Sequence, residues 1–120
     1  MINGWPETDE SKKLLLEQVS SFAREKIRPI AAKLDETGEF PTGIVKQLGE
    51  MGMMGMMVPE QWGGSEMDTV SYAMAMEEIA AACASTAVIM SVNNSLVCSP
   101  LLKYGNDAQK SKFLAPLARG

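Results

Sequence analysis

The chain contains no histidine, so it lacks both the commonest general base and the commonest metal ligand. That argues against a self-contained zinc enzyme or a histidine-driven hydrolase and leaves carboxylate chemistry open. Only two cysteines occur, Cys83 and Cys98, and two buried free thiols in a reducing cytosol are expected rather than a disulfide. There is no run of five or six basic residues and the formal net charge is −4. The electrostatic footprint of a nucleic-acid binder is therefore missing. No unbroken apolar stretch reaches the roughly 18 residues that a bilayer crossing takes, so no membrane span is expected. Residues Met1 to Pro6 show no charged segment followed by an apolar one, and no secretion signal is read there. The glycine-rich dinucleotide fingerprint, the phosphate loop, the nucleophile elbow and a cysteine-histidine cluster are also absent.

What remains is a chain of 120 residues with 46% hydrophobic content, enough for one domain with an ordinary core. Its periodicity is helical almost throughout. Leu15, Val19, Phe22, Ile27, Ile30 and Leu34 predict a helix over residues 8–34, with Thr8 as N-cap and Gly38 as terminator. Pro29 is expected to kink or divide it. Pro41 suits the first turn of a second helix, whose Ile44, Val45, Leu48 and Met51 face inward up to Gly52. An ordered loop is expected at Val58-Pro59-Glu60-Gln61-Trp62-Gly63-Gly64. A third helix over 69–84, capped from residues 65–68, carries Val70, Ala73, Met74, Met76, Ile79 and Ala80. A fourth opens at Ser85 or Thr86 and runs to about Tyr104, apolar enough on all sides to be covered on most of them. A last short helix starts at Asn106 or Asp107 and ends near Pro116 or Leu117. Only residues 54–58 hint at strand alternation, so the fold class is all-α, with about five to six helices.

Three features bear on chemistry. Glu77 and Glu78 are adjacent on a helix and point about 100° apart, so they do not converge on one proton. A solvated or salt-bridged face is the expectation. Asn93 and Asn94 interrupt an apolar helix, and a buried amide without partners costs about 1–3 kcal/mol. Either they tie the helix to a neighbouring loop or domain, or one of them lines a ligand cavity, and the first reading is preferred. The run Met51-Gly52-Met53-Met54-Gly55-Met56-Met57 is read as core filling before an adaptable binding surface. Trp62 is read as an anchor for its loop.

Four stretches, in order, resemble the N-terminal domain of the acyl-CoA dehydrogenases: the loop from Val58 to Gly64, the alanine-rich helix from Ser71 to Ile79 with its Glu-Glu pair, the segment from Cys83 to Leu96, and the segment from Leu102 to Gly120. The third looks most like the short-chain, butyryl-type members. The resemblance implies an N-terminal helical bundle over residues 1–120, followed in the parent protein by a β-domain and a second helical domain. It implies α,β-dehydrogenation of an acyl-CoA thioester, in which a glutamate takes the α-proton and FAD takes the β-hydride. In relatives that glutamate lies in the C-terminal domain, so no catalytic residue is expected in this chain, nor any cofactor or metal ligand. The isolated chain is expected to be inactive and to hold no FAD.

In the family the helix matching residues 85–104 runs along the acyl tail. The resemblance therefore assigns Ile89, Met90, Asn93, Leu96 and Val97 to the acyl pocket. The implied partners are acyl-CoA, an electron-transfer flavoprotein, the parent's other domains and further copies in a homotetramer, located in the cytoplasm or, in a eukaryote, the mitochondrial matrix. A domain that normally packs on others is expected to expose an apolar face when alone, and so to self-associate, be marginally stable or rearrange its helices. The stop at Gly120 is taken to favour a fragment. The alternatives are an autonomous helical module binding an acyl group or a partner helix, and an oligomerisation domain.

Overall fold

A computed structural model describes residues 9–120. Thr8 lies outside the described residues, and the first helix is capped by Asp9, whose Oδ1 accepts a hydrogen bond from the Lys12 amide at 2.9 Å. The described residues form five helical stretches and no strand. Helix α1 covers residues 10–37 and ends at Gly38 in the left-handed region (φ 68°), whose amide donates to the Leu34 carbonyl. Helix α2 is Thr42–Glu50, α3 is Thr69–Ala82, α4 is Ala84–Tyr104, and α5 covers residues 107–119. A single 3-10 turn, Glu60–Trp62, lies in the loop between α2 and α3.

Pro29 does not divide α1. A wide π-type turn, Ala23–Ile27, precedes it, and the proline sits two residues further on. The arrangement recurs before Pro100 in α4, after Val92–Cys98, and before Pro116 in α5, after Lys110–Leu114. Proline donates no hydrogen bond, and its ring crowds the carbonyl four residues back. Widening the preceding turn relieves the crowding while the residue before each proline bonds five residues back: Arg28 to Ala23, Ser99 to Asn94, Ala115 to Lys110. The three long helices thus stay continuous through their prolines.

Two turn chemistries fix the connections. Asp68 caps α3 by accepting from the Ser71 amide at 2.8 Å. Asn106 and Gln109 form a reciprocal capping box at the start of α5. Between α3 and α4 there is one extended residue, Cys83. It ends α3 at Ala82 and opens α4 at Ala84, ahead of the Ser85 or Thr86 expected from side-chain preference.

The main core gathers Val19, Ala23 and Ile27 of α1, Ile44 and Leu48 of α2, Ala75 and Ile79 of α3, and Ala87 and Met90 of α4. Met53, Met54 and Met56 fill its centre, as core filling predicts. Leu16 and Ala23, absent from the predicted stripe, are buried, whereas Val70 and Ala80 of α3 face outward. A smaller cluster of Val58, Cys98, Leu114 and Ala118 takes Trp62 against it, so the tryptophan anchors its loop. Residues 54–58 form turns rather than a strand, and of these Met54, Gly55, Met56 and Val58 are all buried. Alternation there had no exposed face to report.

The molecule is a slab of 40 × 39 × 19 Å, about two helix diameters thick. That thinness overturns the expectation that α4 is covered on most sides. Val88 is 59% exposed, Leu96 69% and Tyr104 76%. By length and average apolarity α4 could cross a bilayer, which a count of unbroken apolar residues does not reveal because Ser91, Asn93, Asn94 and Ser95 interrupt it. The hydrogen bonds of Asn93 and Asn94 into the fold mark it instead as a helix packed on one side.

Candidate functional site

Helix α4 is two-faced. Its inner face carries Met90, fully buried, and Asn94, 3% exposed. The Asn94 side chain accepts from the Met56 amide at 2.8 Å and donates to the Met53 and Met90 carbonyls, both at 2.9 Å. Asn93 donates to the Met54 carbonyl at 2.7 Å and to the Leu117 carbonyl at 2.9 Å. The methionine loop is built of turns, and the side-chain amides of one helix pair three of its backbone groups, the Met56 N–H and the Met53 and Met54 carbonyls. Both asparagines thus tie the helix to its neighbours, the reading preferred from sequence.

The outer face carries Val88, Val92, Leu96, Pro100 and Tyr104 at steps of four, every one exposed. Such steps form a continuous ridge along a helix. Helix α5 folds back along the second half of α4 and adds Phe113 and Leu117, which are also exposed. Between the two helices runs an open groove of about 500 Å³ lined by Leu96, Val97, Pro100, Leu101, Tyr104 and Phe113, with Gly105 and Gln109 at one end. Lysines border it: Lys103 lies 5.3 Å from the Tyr104 ring and Lys112 lies 5.3 Å from that of Phe113. Monomeric surfaces rarely leave this much contiguous apolar area uncovered unless something binds there.

Of the five residues assigned to an acyl pocket, Leu96 and Val97 line this groove. Ile89 is half-buried on the same helix nearer its start. Met90 is in the core, and the Asn93 amide nitrogen is engaged by backbone carbonyls. The groove also draws on Pro100, Leu101, Tyr104 and Phe113, which the sequence reading did not single out. The four-residue spacing from Val88 to Tyr104 was the available signal.

A second groove of about 490 Å³ has a different character, with Lys13, Glu17, Ser20, Arg24 and Glu78 around Leu16. It mixes both signs of charge. Lys12 spans the helices nearby, 2.9 Å from Asp68 and 3.5 Å from Asp9. The Ser71 amide, and then Lys12, hold the Asp68 carboxyl down at about 2. Burial pushes the Cys98 thiol up to about 11. No group of histidine, cysteine, aspartate or glutamate among the described residues is arranged to hold a metal ion.

Residues 9–120 match the family model for the acyl-CoA dehydrogenase N-terminal domain. The chain belongs to that family. It is 46% identical over 114 residues to the mitochondrial short-chain specific acyl-CoA dehydrogenase of Bos taurus, covering 95% of this chain and 28% of that protein. It is 41% identical over 109 residues to the short-chain specific acyl-CoA dehydrogenase of Clostridium acetobutylicum, covering 91% and 29%. The fold superposes on butyryl-CoA dehydrogenase of Megasphaera elsdenii with a TM-score of 0.87 at 30% identity, covering 96% of this chain and 31% of that one. The chain therefore spans less than a third of the length of the curated relatives it matches. The all-α architecture expected of the family's N-terminal domain is the one observed.

Proposed function

We propose that this chain is the N-terminal helical domain of a flavin-dependent short-chain acyl-CoA dehydrogenase, and that α4 and α5 supply one wall of its acyl pocket and the seat for its other domains. The observation that carries the reading is the uncovered apolar ridge from Val88 to Tyr104 on a fold shared with a butyryl-CoA dehydrogenase. Such a ridge costs solvation in an isolated domain, and covering it with an acyl chain or a packed domain recovers about 25 cal/mol per Å². Ile89, Leu96 and Val97 would form the wall itself. Met90 and Asn93 would act from behind, Met90 by filling the core under the wall and Asn93 by fixing the helix against the methionine loop and α5.

Neither of these two grooves is lined to hold FAD. The apolar groove has one side-chain amide, Gln109, and no cationic lining, and the charged groove sets Glu17 and Glu78 beside its cations. No step through the flavin is assigned to them. Flavin binding, proton abstraction and electron transfer to an electron-transfer flavoprotein belong, on this reading, to the parent protein beyond these residues, as does assembly into a homotetramer. Similarity to mitochondrial and bacterial relatives supports a site in the mitochondrial matrix or cytoplasm.

The wall assignment is tested by Leu96→Trp in the complete protein. Each methylene excluded from the pocket forfeits about 0.8 kcal/mol. The kcat/KM ratio for butyryl- over octanoyl-CoA should rise at least about tenfold. An unchanged ratio in a folded, flavin-loaded variant would remove Leu96 from the acyl wall.

A further inference from the structure

The corner between α1 and α2 has no role in the reading above. Helix α1 ends at Gly38 in the left-handed region, and Pro41 follows with φ −79° and ψ 62°. The Thr42 amide donates to the Phe40 carbonyl at 2.8 Å, which closes an inverse γ-turn about the proline. The proline ring fixes one of the two dihedrals at that turn. The corner is therefore stiff, and it holds Phe40 outward, 62% exposed. Asp35, Glu36 and Glu39 flank the ring in sequence, and all three are exposed.

The Tyr104 end of the groove between α4 and α5 has the opposite make-up. Pro100, Leu101, Tyr104 and Phe113 line it, and no acidic residue does. Lys103 and Lys112, both exposed, stand beside its two aromatic rings. Residues 100–120 carry four cations against one acid, in a chain whose net charge is −4. Among the described residues no ion pair involves these two lysines or the three carboxylates of the Phe40 corner.

We propose that the Phe40 corner of one copy of this chain seats in the groove of a second copy, the ring against Tyr104 and Phe113 and the carboxylates against Lys103 and Lys112. An aromatic ring meets an aromatic groove, and a negative rim meets a positive one. The stiff corner presents the ring without first having to order it, which lowers the cost of binding. Knob and groove are different surfaces of the same chain, so the contact is head-to-tail. It leaves a free knob on one copy and a free groove on the other, and further copies can add. The contact lies toward Tyr104, away from Ile89, and needs no flavin. Its failure would leave the acyl-wall assignment standing.

Sedimentation of the full chain, followed by the mixing of two variants, tests the proposal. The average mass should rise with protein concentration and fall as salt is added. Phe40→Ala spoils the knob and leaves the groove intact, whereas Lys103→Glu with Lys112→Glu spoils the groove and leaves the knob. All three side chains are exposed, so the fold should be kept, which circular dichroism checks. Should Phe40→Ala lose its fold, Glu36→Lys with Glu39→Lys serves as the knob variant. Each variant alone should associate at least about tenfold more weakly than the unsubstituted chain. Mixed in equal amounts, the two should form a dimer, because one intact knob meets one intact groove. A mixture that stays monomeric overturns the proposal. So does an unsubstituted chain that is monomeric throughout, or a knob variant that associates like the unsubstituted chain.

Discussion

Replacing Asn94 by alanine removes three hydrogen bonds at once from a position that is 3% exposed. The Met56 amide loses its only acceptor, and a buried unpaired N–H costs about 1–3 kcal/mol. The Met53 carbonyl loses its donor and adds about 1 kcal/mol. The Met90 carbonyl lies within α4 and loses less. The sum is roughly 2–4 kcal/mol, a large part of the about 5–15 kcal/mol that holds a domain together. With a urea slope of about 2 kcal/mol/M, the midpoint should fall by roughly 1–2 M at constant slope. Asn93→Ala provides the scale. Its amide donates to two carbonyls from a half-buried position, so about 1–1.5 kcal/mol is expected. Urea unfolding followed by circular dichroism measures both. An Asn94→Ala loss below about 1 kcal/mol, or one no larger than that of Asn93→Ala, would refute the claim that Asn94 organises the methionine loop.

Two further outcomes follow from surface features. Leu96→Glu alters a side chain that is 69% exposed, so stability should change by less than about 0.5 kcal/mol. Self-association through the apolar ridge should nevertheless weaken, which sedimentation velocity against the unsubstituted chain will register. Asp68 has its carboxyl lowered from 3.8 to about 2 by the Ser71 amide and Lys12. Its contribution is therefore fully present above about pH 4 and is lost as the pH falls through 2. Thermal melts between pH 5 and 2 should steepen in the unsubstituted chain relative to Asp68→Asn, and parallel curves would dismiss the ion pair.

Most of the helical frame can be read from the residues. Gly38 and Asp68 are local stop and start signals that act through backbone groups within four residues. The role of Asn94 follows from the cost of leaving an amide unpaired in an apolar helix. Other features depend on distant parts of the fold. Apolarity on every side of α4 does not distinguish a covered helix from one whose outer face is exposed, and only the slab's thickness makes the distinction. The opening of α4 at Ala84 reflects the extended backbone at Cys83, which overrides the capping preference of Ser85 and Thr86. The continuity of α1 through Pro29 depends on a π-type turn that hydrophobic spacing does not encode. Leu16 and Ala23 are buried because α3 lies against that side of α1.

The central claim is that these residues are one domain of a flavin-dependent short-chain acyl-CoA dehydrogenase. Its most direct test is the visible absorption spectrum of the complete protein carrying this sequence, recorded anaerobically before and after butyryl-CoA. The account predicts an oxidised-flavin spectrum that bleaches on addition of the thioester. A protein without flavin absorbance, or one whose flavin is indifferent to butyryl-CoA while accepting another class of reductant, would contradict it.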